Sequence, residues 1–325
     1  MKLVILILIA SLFLVGCSTT GEIVKEVNEE VSVRLPIPFN DGAFAPFYSA
    51  IDQGYFAEEG LDVTYHFGSA EANPVKMVIT GQDDIGIIGG PDTLLVARSK
   101  GHPVKAFALY HRYSDFPVLI TKKDSGITTV GQLDGKKVGF FYGHISTDVL
   151  RNLFRKQDVS VEEIDVGVSL NLLLTEKIDA QWWFRIPAEV VLPAKDIDVN
   201  IIHPKDYGIM THGYTFFSTE ETILDRPEVI EKFMRAIIKA TKFSNEYPEE
   251  AILSVLARDE TLKYEIELEK LKQYNKVTVG DLPIGYIDEN ILKGTYERLL
   301  EEDVLESPFN LRDAFTSEIL KEAYT

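Results

Sequence analysis

The chain has 325 residues, of which 45% are hydrophobic and 10% aromatic, a composition typical of a globular protein large enough for two domains. Aspartate and glutamate outnumber lysine and arginine by 51 to 33, which gives a net charge of −18. Such a surface repels nucleic acid and anionic lipid, so we exclude both as partners of the folded surface.

The first sixteen residues have the pattern of an export signal. Lys2 precedes an unbroken apolar run at 3–15, which is too short for a membrane-spanning helix of roughly 20 residues. The run ends in LVGC at 14–17, which resembles the lipobox of bacterial lipoproteins, where the signal is cut before a cysteine that then receives lipid. We therefore expect a signal peptide at 1–16 and an acyl chain such as palmitate on Cys17. The protein would then be anchored at the outer face of the cell membrane.

Cys17 is the only cysteine, so the chain forms no internal disulfide and no cysteine-ligated zinc or iron site. The six histidines include no pair at the spacing of a metal-binding helix, and the sequence lacks the common nucleotide-binding and hydrolase motifs. We therefore expect no metal, no cofactor and no catalysis.

Residues 17–30 are polar and charged, and we expect them to form a flexible tether. Strands then alternate with helices of about ten residues, which predicts βαβ units, mainly parallel sheets and an α/β fold. The predicted strands are 31–38, 61–67, 85–88, 104–110, 118–121, 137–142, 178–184, 199–202 and 214–217.

Beyond the last of these strands the pattern is almost entirely helical. A strong helix begins at Pro227, and the further predicted helices are 248–258, 264–275, 289–302 and 313–323. We expect lobe 1 to be built from 31–114 and 217–325, and lobe 2 from 115–216. Crossings near 112–118 and 212–217 would form a two-strand hinge beside a ligand cleft, in a protein that we expect to be a monomer.

Five segments in order resemble the taurine/nitrate/thiamine-pyrimidine family of periplasmic solute-binding proteins. They are AIDQGYFAEEGLDV at 50–63, GQDDIG at 81–86, LDGKKV at 133–138, IDA at 178–180 and DYG at 206–208. The resemblance runs from about residue 33 to 320 and implies a type II periplasmic-binding-protein fold. It also implies an ABC permease and ATPase as partners, with a small molecule as cargo.

An enzyme is the alternative class, because fungal enzymes that make the thiamine pyrimidine from pyridoxal phosphate resemble the same family. Those enzymes depend on a cysteine-rich iron-binding segment, which this chain cannot supply. Its export signal is also foreign to a cytosolic biosynthetic enzyme, so the sequence favours a binding protein.

In open α/β sheets a ligand lies beyond the carboxyl ends of the strands. The turns that follow the predicted strands supply the candidate ligand-binding residues, which are Phe39, Asn40, Phe44, Asp92, Tyr142, His144, Ser146, Trp183, Arg185, Glu189 and Tyr207. On a buried strand Trp183 and Arg185 would share one face.

The aromatic side chains in these turns favour a flat ring system over a small anion. The segments DYG at 206–208 and AFTSE at 314–318 resemble the thiamine-pyrimidine branch of the family, where Glu189 falls at the position of an aminopyrimidine-binding glutamate. Near the first turn the chain departs from that branch, with Ile37-Pro38 and Phe44 in place of its usual residues. A thiamine-precursor pyrimidine is therefore the expected ligand, with a riboflavin-like flavin precursor or an anion such as a sulfonate, taurine or nitrate as alternatives.

Overall fold

The computed structural model describes residues 28–69, 71–112, 117–142, 144 and 146–325. The predicted signal, Cys17 and most of the predicted tether lie outside these ranges. Within them, no helix combines the length and the apolar character that crossing a bilayer requires.

The described strands form two sheets of five. They are β1 (Glu29–Arg34), β2 (Leu61–His66), β3 (Ile85–Ile88), β4 (Val104–Leu109), β5 (Val118–Lys122), β6 (Lys137–Phe140), β7 (Glu162–Asp165), β8 (Ala180–Trp183), β9 (Val199–Ile202) and β10 (Thr215–Thr219). Sheet 1 has the order β2-β1-β3-β10-β4 and sheet 2 has the order β7-β6-β8-β5-β9.

The predicted mainly parallel α/β architecture is confirmed. In sheet 1 only β10 runs against its neighbours, β3 and β4. In sheet 2 only β5 does so, against β8 and β9. All four residues of β3 are buried, as expected of a strand covered by helices on both faces.

Helices of the described residues cover both sheets, and most of those after β10 belong to sheet 1. They are α1 (Ala45–Asp52), α2 (Tyr55–Glu58), α3 (Pro74–Ile79), α4 (Pro91–Ser99), α5 (Ser146–Lys156), α6 (Asn171–Leu174), α7 (Glu220–Asp225), α8 (Pro227–Glu246), α9 (Pro248–Leu256), α10 (Tyr264–Thr278), α11 (Glu289–Glu301) and α12 (Glu318–Ala323). The prediction for the last helix was too long, because 311–314 form a separate 3-10 turn and Phe315 then bridges to Ala106 of β4.

Sheet 1 separates two apolar cores. Phe216 and Phe217 are neighbours on β10, so their side chains point to opposite faces. Phe216 packs with Phe233 of α8 in one core, whereas Phe217 packs with Leu94 of α4 in the other. The return strand thereby fixes the C-terminal helices on sheet 1.

The family glycines stand where the backbone needs a left-handed conformation. Gly54 has φ +76° between α1 and α2, and Gly135 has φ +68° in the turn before β6. Such φ values are strained for residues with a Cβ, so the resemblance in these segments reflects turn geometry.

Candidate functional site

The chain crosses from sheet 1 to sheet 2 after β4 and returns before β10, and the two crossing segments touch. Tyr110 N donates a hydrogen bond to Tyr214 O at 2.7 Å, and His212 Nδ1 lies 3.0 Å from Arg112 O. A cavity of about 1000 Å³ opens beside them, lined by residues that belong to both sheets and their helices. Such a volume is in the range of a small-molecule pocket.

One wall of the cavity is a stack of rings from the sheet 1 side. His111 stacks on Tyr274 of α10 with ring centroids 4.5 Å apart, and it lies 5.3 Å from Tyr214. Phe44 is fully buried behind this wall and stacks on Tyr214 at 5.7 Å. Burial lowers the pKa of His111 to about 3, so this ring is neutral at pH 7.

The opposite wall is formed by rings of the sheet 2 side. His144 stacks on the buried Trp182 at 5.2 Å, and Phe184 also lines the cavity. The backbone N–H of Ser146 donates to His144 Nδ1 at 3.2 Å, so the ring proton lies on Nε2. Burial lowers the pKa of His144 to about 4, which keeps this ring neutral as well.

A buried ion network lies at the edge of the first wall, and we call its three members, Asp41, Glu267 and Lys270, the Lys270 network. Lys270 Nζ contacts a carboxylate oxygen of Asp41 and lies 2.9 Å from Glu267 Oε2, which also accepts from Gly42 N at 2.7 Å. Burial disfavours the charge of Lys270, but the two carboxylates outweigh it and raise its pKa. Lys270 therefore stays charged although it is buried.

Two arginines line the cavity on the lobe 2 side, and both are held by carboxylates. Arg185 Nη1 donates to Glu189 Oε2 at 2.7 Å. Arg151 binds Glu163 through two hydrogen bonds of 2.9 and 2.7 Å. The positive charges at the cavity are thus already matched by carboxylates of the protein.

Four of the predicted site residues line the cavity, namely Phe39, Tyr142, His144 and Arg185. Four lie behind it: Phe44 and Ser146 support the walls, Glu189 is paired with Arg185, and Asp92 forms a buried ion pair with Arg298. The remaining three, Asn40, Trp183 and Tyr207, do not line the cavity.

Asn40 and Tyr207 serve the scaffold. Asn40 Oδ1 accepts from Tyr48 Oη at 2.8 Å, whereas Tyr207 Oη accepts from Val130 N at 3.1 Å. Both polar groups thus tie loops to the body of a lobe instead of pointing at a ligand.

The expectation that Trp183 and Arg185 share a face is corrected by the structure. β8 ends at Trp183, whose ring packs in the core on the far face of sheet 2. The strand alternation stops there and a π-helical turn begins at Pro187, so Phe184 and Arg185 both reach the cavity. Trp182 is also excluded from the lining, because it is fully buried beneath His144.

The sequence reasoning missed His111, Asp148, Tyr214, Lys270 and Tyr274, which all line the cavity. His111 and Tyr214 stand beside the crossings that were predicted, so their positions carried a usable signal. Lys270 and Tyr274 are four residues apart on α10, and nothing local indicates that this C-terminal helix returns to the cavity.

Two α/β lobes joined by paired crossings around a cavity define the periplasmic-binding-protein fold. The structure of the aliphatic sulphonate binding protein SsuA from Escherichia coli is similar, with a TM-score of 0.71 over 89% of this chain and 92% of that chain, at 13% identity. The chain belongs to the NMT1/THI5-like family, which matches residues 41–251.

Three proteins with similar sequences align with more than half of the chain. A formylaminopyrimidine-binding protein of Halalkalibacterium halodurans is 28% identical over 97% of this chain and 98% of its own length. The riboflavin-binding protein RibY of Chloroflexus aurantiacus is 25% identical over 85% and 82%. A pyrimidine phosphate synthase of Saccharomyces cerevisiae matches a shorter part, at 27% identity over 64% of each chain. The chain accordingly has the fold of periplasmic binding proteins, and its named relatives include both solute-binding proteins and a synthase.

Proposed function

We propose that the chain binds a flat, amino-substituted heterocycle of the pyrimidine class and delivers it to an ABC importer. The observation that carries this proposal is the make-up of the cavity, which is lined by aromatic rings from both lobes. Stacking on such rings contributes about 0.5–1.5 kcal/mol per ring pair beyond area burial. The formylaminopyrimidine-binding relative supports the same ligand class.

The charges of the cavity argue against a sulfonate or nitrate ligand. The lysine and the two arginines of its described lining are each bound to carboxylates, and His111 and His144 are neutral. An anion would have to compete with a protein carboxylate for its cation, and an unpaired buried charge costs several kcal/mol. A neutral heterocycle with N–H donors has no such cost.

A riboflavin-like flavin precursor is the second candidate. A cavity of about 1000 Å³ exceeds the volume of a single pyrimidine ring, and a tricyclic ring system fits the same space. The riboflavin-binding relative supports this ligand more weakly than the first relative supports a pyrimidine, because its match covers less of the chain.

We propose binding without catalysis. Cys17 is the only cysteine, and the described residues hold no group of three histidine, cysteine or acidic side chains that could bind a metal ion. The full-length match to a binding protein, against a partial match to the synthase, supports the same choice.

A ligand panel tests the proposal by calorimetry and thermal shift. We expect formylaminopyrimidine to bind one-to-one and to raise the melting temperature, since a ligand at 100 times its Kd stabilises by about 2.7 kcal/mol. Chromatography should recover it unchanged. Binding of an alkanesulfonate alone would refute the ligand class, and a converted product would refute the binding role.

We also propose that acyl lipid on Cys17 holds the protein at the outer face of the membrane, where the permease is within reach. Cys17→Ser should move the protein from the membrane fraction to the soluble fraction or leave its precursor uncut. Mass spectrometry that finds an unmodified Cys17 in the membrane-bound protein would contradict the anchor.

A further inference from the structure

Asp148 differs from the other charged residues of the cavity lining in that its carboxylate has no hydrogen-bond or ion-pair partner among the described residues. It lies in the first turn of α5 and lines the cavity beside Thr147 and Arg151. Asp41, the other carboxylate of the lining, is bound to Lys270. Among the described residues no hydrogen bond or ion pair engages the Asp148 carboxylate.

The charges that face Asp148 come from both lobes and are of both signs. Arg298 of α11 and Arg151 of its own helix favour its ionised form, whereas Asp92 of α4 and Glu302 after α11 oppose it. Both arginines are already bound, Arg298 to Asp92 and Arg151 to Glu163. The ionised Asp148 carboxylate therefore adds a negative charge to the cavity that no ion pair among the described residues balances.

We propose that Asp148 selects the ligand, and that its carboxylate accepts hydrogen bonds from an amino group or ring N–H of the heterocycle. This inference rests on the proposed function, since it names the ligand group that the same cavity recognises. A carboxylate that is partly removed from water and lacks a protein partner gains from any N–H donor brought to it, because charge-assisted hydrogen bonds are the strong ones. An acidic ligand is rejected by the same charge.

The protonation state of Asp148 makes the recognition pH-dependent. Burial raises the pKa of Asp148 to about 6, so the carboxylate is mostly ionised at pH 7. A bound N–H donor favours the ionised form and lowers that pKa, so binding releases a proton below pH 6. Affinity is therefore expected to be full above pH 7 and to fall as the pH drops through 6. The titratable neighbour His144 does not add to this change, because it stays neutral down to about pH 4.

A mutant cycle between protein and ligand tests the inference by calorimetry. The probes are 4-amino-5-hydroxymethyl-2-methylpyrimidine and 5-hydroxymethyl-2-methylpyrimidine, which differ only in the amino group. In the wild type we expect the amino group to improve Kd about tenfold or more at pH 7.5, and in Asp148→Asn less than twofold. Asp124→Asn is the control, because this exposed carboxylate of lobe 2 does not line the cavity.

The pH series uses the ratio of the wild-type and Asp148→Asn Kd values for the amino probe, which cancels the titration of the free probe. We expect this ratio to approach one below pH 5. Asp148→Asn should fold, because it removes a charge whose burial is unfavourable. Equal effects of the amino group in both proteins would overturn the inference and leave the proposed function intact. Failure of the wild type to bind formylaminopyrimidine as well as both probes would overturn both.

Discussion

Some residues at the cavity have both a structural role and a place in the cavity lining, and Lys270 is the clearest case. Its ammonium group is buried and binds Asp41 and Glu267, so it neutralises two carboxylates and also lines the ligand space. Burial raises the pKa of Glu267, which shows that this carboxyl is costly to keep charged. The network is therefore stable only while the lysine is present.

Lys270→Met should destabilise the protein strongly. The substitution keeps most of the side-chain length but leaves the buried Glu267 and the partly buried Asp41 without their cation. Removing one partner of a buried ion pair costs about 3–5 kcal/mol. Urea unfolding at pH 7.5 should show a lower midpoint. The loss should shrink as the pH falls, because the orphaned carboxyls become protonated.

Lys272→Met is the matched control, since Lys272 lies one half-turn away on α10 and pairs with Glu249 at the exposed surface. Exposed pairs contribute little, so its unfolding midpoint should stay near that of the wild type. If Lys270→Met and Lys272→Met unfold alike, the Lys270 network does not stabilise this region.

At the scale of elements, the hydrophobic pattern predicted most strands, and it failed where a strand has few apolar residues. The strands 85–88 and 199–202 were predicted with the bounds that the structure gives, because short apolar runs between turns indicate buried strands. β7 was missed, since its sequence EEID is mostly acidic and it lies at the edge of sheet 2. An edge strand is held by its backbone pairing with β6, which leaves no apolar alternation to detect.

The sequence predicted less of the site than of the fold. Turns after strands were the right places to search, and they supplied Phe39, Tyr142, His144 and Arg185. The search failed where an element end changed the direction of a side chain, as at Trp183. It also failed where a distant helix brought residues back, because pairing between α10 and the crossings is set by tertiary packing and not by local pattern.

At the scale of the whole molecule, we expect two lobes joined by paired crossings to open and close, and the ion pairs between the lobes to influence that equilibrium. Arg155 at the end of α5 binds Glu301 at 2.7 Å and Glu302 at 2.8 Å at the end of α11. The first of these helices, α5, contributes Asp148 and Arg151 to the cavity lining, and Val304, which follows α11, lines the cavity as well. The Arg155 pairs therefore join the lobes beside the mouth of the cavity.

Arg155→Ala should weaken ligand retention without changing the fold. Each partly exposed pair contributes about 0.2–1 kcal/mol, and only while the lobes are in contact, so the loss falls on the closed form. We expect Kd to rise about threefold to tenfold through a faster koff, with kon nearly unchanged.

Stopped-flow measurement with a bound heterocycle checks this, with Lys156→Ala as the control, because Lys156 is the exposed neighbour on the same helix. The difference between Arg155→Ala and the wild type should shrink at 1 M salt, where exposed charges are screened over about 3 Å. An unchanged koff at low salt would mean that closure is held by the ligand and the stacked rings alone.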